Sequence, residues 1–125
     1  MKTYAIAVLA AAATAAAAPA SAHHSGAMFD SDTQVTVEGV VKQMQFTNPH
    51  SWLQVVATDA AGKSVEWSFE AGAPTVLIRS GFTKNSLKPG DKVTVVGHPL
   101  KDGRPAAGLI TVKTASGEIL PRRGG

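Results

Sequence analysis

The sequence predicts an all-β domain that contains one short helix and closes into a small barrel. Three observations point to this fold class. Apolar residues alternate with polar ones over several short segments, one stretch that begins near a proline and ends at a glycine interrupts them, and the first segment changes its buried face part-way along. Alternation with a period of two is typical of strands that bury one face, and the single interruption indicates a short helix between two strands.

The first predicted strand is long and bent. Val35 and Val37 place apolar side chains on odd positions, whereas Met44 and Phe46 place them on even positions. Because a shift of one residue moves every side chain to the other face of a strand, the two halves of this strand must be out of phase. The change falls around Gly39–Val41. A glycine at such a position is typical of a bulge or a sharp bend. We therefore expect one bent strand whose two halves belong to two sides of a barrel.

The next two strands form a predicted hairpin. One runs from about Trp52 to Thr58 and the other from Ser64 to Glu70, with a turn at Asp59–Gly62 between them. Three apolar residues of the later strand alternate cleanly with polar ones. We therefore expect the outward-facing Glu66 and Glu70 to lie on solvated surface.

A short helix is predicted within residues 72–81, because proline stands near the start of this stretch and glycine just past its end. Strands four and five are predicted at Lys92–Gly97 and Gly108–Thr114, and a hairpin-like turn precedes Ile119–Leu120. Three strands, one helix and two strands follow each other in this order in the OB-fold, a five-stranded Greek-key barrel. A simple sandwich of similar strands is the alternative; the change of face and the position of the helix favour the barrel.

The first 22 residues have the pattern of an export signal rather than of a folded domain. A basic start and an apolar run of mostly alanine end in the small-residue triplet Ala20–Ala22, which predicts a secretory signal peptide. We expect a periplasmic or secreted protein with no membrane anchor after processing, and cleavage after Ala22 or after Ser21 both stay open. The predicted signal peptide covers residues 1–22 and the N-terminal arm residues 23–32. The barrel is predicted over residues 33–120 and a disordered tail over 121–125.

Composition and motifs narrow the function. The formal net charge is only +3 and the chain contains no cysteine. The weak positive charge does not favour nucleic acid as a partner, and the absence of cysteine excludes disulfides, thiol catalysis and thiolate metal sites. The sequence contains no nucleophile-elbow, P-loop or Rossmann glycine pattern. We therefore expect a binding protein of a small molecule or metal ion rather than an enzyme, with any protein partner unknown.

The four histidines, His23, His24, His50 and His98, are the candidate metal ligands. Cleavage after Ala22 leaves His23 with a free amine, which can chelate a metal together with its own ring. Cleavage one residue earlier makes His24 the third residue, and amine, two amides and imidazole then form a square-planar site; both arrangements suit Cu(II). His50 and His98 lie in the loops that flank the mouth of an OB-fold. The sequence thus predicts a metal site, with copper as its most specific form.

Asn48 and Trp52 flank His50 and are the candidate ligand-binding residues. Trp52 breaks the inward pattern of its strand, so it either stacks on a small ligand beside the first loop or packs under the N-terminal arm. A different function is also open. In this alternative the histidines are incidental, and the protein is an envelope structural or interaction protein that contacts a partner through the barrel surface.

Four short motifs occur together in the predicted mature chain. They are His23–Ser25, Thr47–His50 with Trp52, Trp67–Glu70 and Leu87–Asp91. Together they resemble a family of small exported bacterial proteins that is classed only as a domain of unknown function, and the resemblance covers residues 22 to about 120. It implies a periplasmic or secreted β-barrel-like domain and supplies no catalytic residues. It also implies that the leading histidines and the Asn48–Trp52 segment belong to one shared feature.

Overall fold

The computed structural model of the protein describes residues 26–122. The predicted signal peptide, His23, His24 and the last three residues of the predicted tail lie outside the described residues. A 3₁₀ turn at Gly26–Met28 precedes the barrel. The remaining elements are β1 (Val35–Gln45), β2 (Ser51–Thr58), β3 (Ser64–Ala71), α1 (Pro74–Arg79), β4 (Lys92–Pro99), β5 (Ala106–Thr114) and β6 (Ile119–Leu120). The predicted all-β composition with one short helix is confirmed.

The five long strands close into a barrel in the cyclic order β1, β2, β3, β5, β4. All neighbours in this ring are antiparallel except β3 and β5, which pair in parallel over Ser68–Glu70 and Ala106–Gly108. The short β6 adds to β5 outside the ring. A closed mixed barrel with its helix between β3 and β4 confirms the OB-fold-like prediction.

A bulge in β1 produces the change of buried face. The register between β1 and β2 shifts between Val41 and Gln43, so that Val37 and Val41 are buried before the shift and Met44 packs against the core after it. The predicted change of face is confirmed, but it occurs just beyond the predicted position. Gly39 is not the bulged residue, because it stays in regular register with both β2 and β4.

The helix contributes a single residue to the core. Leu77 is the buried residue of α1, whereas Val76 and Ile78 are 57% and 60% exposed. Pro74 stands in the first turn, and Gly81 has φ of 99°, a left-handed conformation that ends the helix without a Cβ clash. Within residues 26–122, no helix has the length and apolar character needed to cross a bilayer.

The core takes residues from every barrel strand and from the segment after the helix. Phe69 and Phe82 are its largest fully buried side chains. Trp67 stacks on Phe69 with ring centroids 6.0 Å apart, but it is only partly buried because it lies at the edge of the core. The tail begins in contact with the helix, since Arg122 donates its backbone N–H to the Ser80 carbonyl oxygen at 2.7 Å.

We predict that Gly39→Ala destabilises the barrel. A Cβ at Gly39 would overlap the Val56 carbonyl oxygen and lie 2.7 Å from Val55 Cγ1, so two packed strands would have to separate. The free energy of unfolding should fall by about 1–3 kcal/mol, which denaturant titration would measure. Gly26→Ala is the matched control, because a Cβ there would meet no atom of a more distant residue within 4 Å, and it should change stability by less than about 0.5 kcal/mol. Equal stability of the two variants would contradict this account of Gly39.

Candidate functional site at the barrel mouth

One pocket brings the arm and two of the predicted metal ligands together. Its volume is about 390 Å³. We call it the mouth pocket. Its wall includes residues of both the arm and the barrel. The arm residues are Gly26, Phe29 and Ser31, and the barrel residues include His50, Glu70, His98, Gly108 and Leu109. His50 and His98, which are 48 positions apart in the chain, therefore line the same space. His50 lies in the predicted loop, whereas the prediction of a loop position for His98 is wrong, because β4 extends to Pro99 and pairs His98 with Gly108.

The arm is held against the barrel by Phe29. Phe29 forms a β-bridge with Leu100, and the Lys101 N–H donates to the Met28 carbonyl oxygen at 3.0 Å. The phenyl ring packs on Gly108, where a Cβ would lie 3.6 Å from the ring. The arm thus continues the barrel wall for a few residues, and it brings the chain that follows the leading histidines to the edge of the mouth pocket.

His50 is joined to Glu70. The His50 Nδ1 and Glu70 Oε1 atoms are 2.6 Å apart, and the Glu70 side chain is only 9% exposed. Glu70 Oε2 is buried and has no hydrogen-bond partner among the described protein atoms. The expectation that Glu70 lies on solvated surface is therefore wrong. In the β2–β3 hairpin Glu70 pairs with Trp52, so His50 lies diagonally opposite on the same face and covers it.

His98 is anchored in a comparable way, but by the backbone. Its Nδ1 lies 2.8 Å from the carbonyl oxygen of Thr33. A carbonyl oxygen only accepts, so Nδ1 of His98 carries the hydrogen and Nε2 of the neutral ring keeps its lone pair. The 2.6 Å contact between His50 Nδ1 and the Glu70 carboxylate favours the same tautomer for a neutral His50 ring. Both imidazoles of the mouth pocket therefore present Nε2 as the free electron-pair donor.

Asp30 holds the turn that supplies the Thr33 carbonyl. Its carboxylate accepts the Thr33 hydroxyl at 2.7 Å and the Asp32 N–H at 3.0 Å. These two hydrogen bonds, the Thr33 bond foremost, hold the pKa of Asp30 below its ordinary value of 3.8, with smaller contributions from the charges of Lys101 and His98. The carboxylate thus stays ionised at ordinary pH and lies within the electrostatic reach of His98.

The described residues do not form a metal site by themselves. Within residues 26–122, no three His, Asp or Glu side chains are grouped so that they could hold a metal ion. Two imidazoles line the mouth pocket, and Glu70 is already engaged with one of them. The other two predicted ligands, His23 and His24, lie outside the described residues, and their role stays a prediction.

The two predicted ligand-binding residues lie beside His50 but are not part of the pocket wall. Asn48 is exposed and is joined to Pro49 by a cis peptide bond. Trp52 is partly buried in β2 and shares a face with Glu70. Their ligand-binding role stays a prediction. The loop itself is well fixed, because the Thr47 hydroxyl donates to the His50 carbonyl oxygen at 2.6 Å.

Comparison with known proteins gives the family. A family model described as "Family of unknown function (DUF6152)" matches residues 10–110. The chain belongs to this family. The predicted resemblance to a domain of unknown function is confirmed. The comparison found no matching curated protein and no matching solved structure. Membership of this family assigns no activity to the mouth pocket.

We predict that Phe29→Ala releases the arm from the barrel. Without the ring, the bond from the Lys101 N–H to the Met28 carbonyl oxygen should open more often, and the Lys101 amide should exchange its hydrogen about tenfold faster or more. Hydrogen exchange followed by NMR would measure this, with the fully buried Val95 as a reference that stays protected. Asp32→Ala, which removes an exposed side chain from the same arm, is the control. Unchanged exchange at Lys101 in the Phe29 variant would show that the ring does not hold the arm.

Proposed function

We propose that the protein is an exported, periplasmic metal-binding module whose mouth pocket holds Cu(II). In this proposal His50 and His98 supply ring nitrogens, and the histidines at the start of the mature chain complete the site. The observation that carries the proposal is that both rings line one pocket while the Nδ1 atom of each lies within 2.8 Å of an oxygen atom, Glu70 Oε1 for His50 and the Thr33 carbonyl oxygen for His98.

Anchoring of this kind is what metal-binding histidines need. A ligating histidine almost always donates its second ring N–H to a carboxylate, a backbone carbonyl or water, which fixes the ring and raises its basicity. Glu70 is such a carboxylate for His50, and the Thr33 oxygen is such a carbonyl for His98. Two histidines prepared in the same way at one pocket are a stronger signal than either histidine alone.

Covalent geometry supports a contribution from the leading histidines. His24 precedes Gly26 by two residues, so the Cα atoms of these residues are at most about 7 Å apart, and those of His23 and Gly26 at most about 11 Å. Gly26 lines the mouth pocket. The chain between the leading histidines and the pocket wall is therefore short enough for their imidazoles to reach the mouth pocket after cleavage at either position.

The chemistry of these ligands favours Cu(II). Imidazole and amine nitrogens bind Cu(II) most tightly among the common divalent metals, and they suit its square-planar geometry. The chain contains no cysteine, so no thiolate competes for the metal.

The second candidate is an envelope interaction protein that uses the barrel surface. The observation in its favour is a set of large apolar side chains that are more than half exposed, namely Val76, Ile78 and Ile119. Co-purification of a defined partner that persists when all four histidines are replaced would support this candidate against the metal proposal. Single exposed apolar residues are common on protein surfaces, so the mouth pocket is the better-supported site.

We predict that the mature protein binds Cu(II) through His50 and His98. Titration followed by EPR should show a nitrogen-coordinated signal. His50→Ala or His98→Ala should each weaken binding by more than the roughly 10–100-fold that follows loss of a hydrogen-bond acceptor behind a ligand. Asn85→Ala is the control, because it removes an exposed side chain that lines a different pocket. It should leave the Cu(II) affinity and the EPR spectrum unchanged. Binding weaker than micromolar, or a spectrum that neither histidine substitution alters, would overturn the copper proposal.

We also predict that the N-terminal amine takes part. Mass spectrometry of the exported protein would first define its N-terminal residue. One glycine added before that residue moves the amine out of its chelate ring, so Cu(II) affinity should fall by about tenfold or more, or 1.4 kcal/mol. The same glycine added after Gly125 is the control. Unchanged affinity in the N-terminally extended protein would exclude the amine as a ligand.

A further inference from the structure

We infer that Glu70 is the positioning residue of the mouth pocket. It holds His50 in the tautomer that carries hydrogen on Nδ1, and so it makes Nε2 the donor atom. The inference rests on the proposed function for the identity of the ligand, since it names the residue that prepares one of the ligating rings. Its structural half concerns described residues alone and can be tested in the absence of any metal.

The backbone gives Glu70 a fixed position. It pairs with Trp52 across the antiparallel β2–β3 ladder and with Gly108 across the parallel β3–β5 ladder, so both sides of its strand are occupied. Its side chain is 9% exposed, whereas the His50 side chain is 46% exposed and lies just before β2. The carboxylate is therefore the fixed member of the pair and the imidazole is the member that is oriented.

The cost of burying Glu70 favours a positioning role over a stabilising one. Its Oε1 contacts His50, but Oε2 is buried without a hydrogen-bond partner among the described protein atoms. A buried acceptor left unpaired destabilises a fold, and a buried ion pair often stabilises it no better than apolar residues of the same size. A carboxylate with one orphaned oxygen in a pocket wall is thus poorly explained by fold stability, whereas the carboxylate–histidine arrangement of metal sites accounts for it.

The second histidine provides a reference within the same molecule. His98 takes its tautomer from the Thr33 backbone carbonyl, which no side-chain substitution removes. A change at Glu70 should therefore alter the His50 ring and leave the His98 ring as it is. A general loosening of the pocket would affect both rings, so the two histidines separate a positioning role from a merely structural one.

Glu70→Gln is the test, and Glu66→Gln is the matched control. Glu66 lies on the same strand, but it is exposed and pairs with Lys42. Long-range nitrogen-15 NMR correlations of the metal-free proteins, recorded after the pH has been raised until the histidine signals no longer move, report the tautomer of each histidine. A glutamine amide can donate to Nδ1 as well as accept from it, so His50 should shift to a mixture of tautomers in the Glu70 variant. His98 should keep its tautomer in every variant.

Cu(II) affinity is the second measurement. Glu70→Gln should weaken binding by about 10–100-fold, the usual effect of removing the acceptor behind a ligating histidine, and Glu66→Gln should leave it unchanged. Glu70→Asp keeps the charge and should restore the His50 tautomer at least in part, and it serves as the test if the glutamine variant does not fold.

The outcomes separate this inference from the proposed function. If the wild-type protein binds no Cu(II), the proposed function fails, while the NMR experiment still decides whether Glu70 sets the His50 tautomer. An unchanged His50 tautomer in Glu70→Gln overturns the inference. So does a Glu70→Gln protein that binds Cu(II) as tightly as a copper-binding wild type.

Discussion

Closure of the barrel depends on one short parallel pairing, in which Ser68–Glu70 lies opposite Ala106–Gly108. The β5 side of this pairing consists of the small residues Ala106, Ala107 and Gly108, and β4 packs closely against them. A Cβ at Gly97 would lie 2.7 Å from the Gly108 carbonyl oxygen and 2.8 Å from the Ala107 Cβ, so β4 approaches β5 at this point only without a side chain. The same pairing carries the end of β3 to the mouth of the barrel. Glu70 therefore occupies its place in the pocket wall as a consequence of closure.

The N-terminal arm uses the surface that this seam leaves open. Gly108 has no side chain, so the ring of Phe29 packs directly on the backbone of β5. That contact fixes the residue before the Asp30–Thr33 turn. The turn then places the Thr33 carbonyl oxygen next to His98 Nδ1. Barrel closure and arm docking thus both depend on Gly108. Closure places the Glu70 carboxylate next to His50, and arm docking places the Thr33 carbonyl oxygen next to His98.

Local sequence patterns predict the barrel well because its strands and turns are encoded in local residues. The alternation in β3, the proline and glycine around α1 and the change of phase in β1 are all confirmed by the structure. The bulge lies beyond Gly39 because that glycine is needed for close approach to β2 instead. The burial of Glu70 could have been found by counting back from the turn at 59–62, since the hairpin register places Trp52 opposite Glu70. Arm docking had no such signal, because it joins Phe29 to Leu100 and Gly108, which lie far away in the sequence.

Charge gives the last constraint on what the mouth pocket can bind. Glu70 contributes a buried carboxylate to its wall, and Asp30, between Phe29 and Ser31 of the same wall, lies within reach of His98. The lowered pKa of Asp30 means that this carboxylate keeps its charge at the pH where an ordinary aspartate, with a pKa of 3.8, becomes protonated. An anionic ligand would therefore meet the negative charges of Glu70 and Asp30 in this pocket. A cation that accepts imidazole nitrogen is attracted by the same groups, so the electrostatics and the tautomers favour one class of ligand.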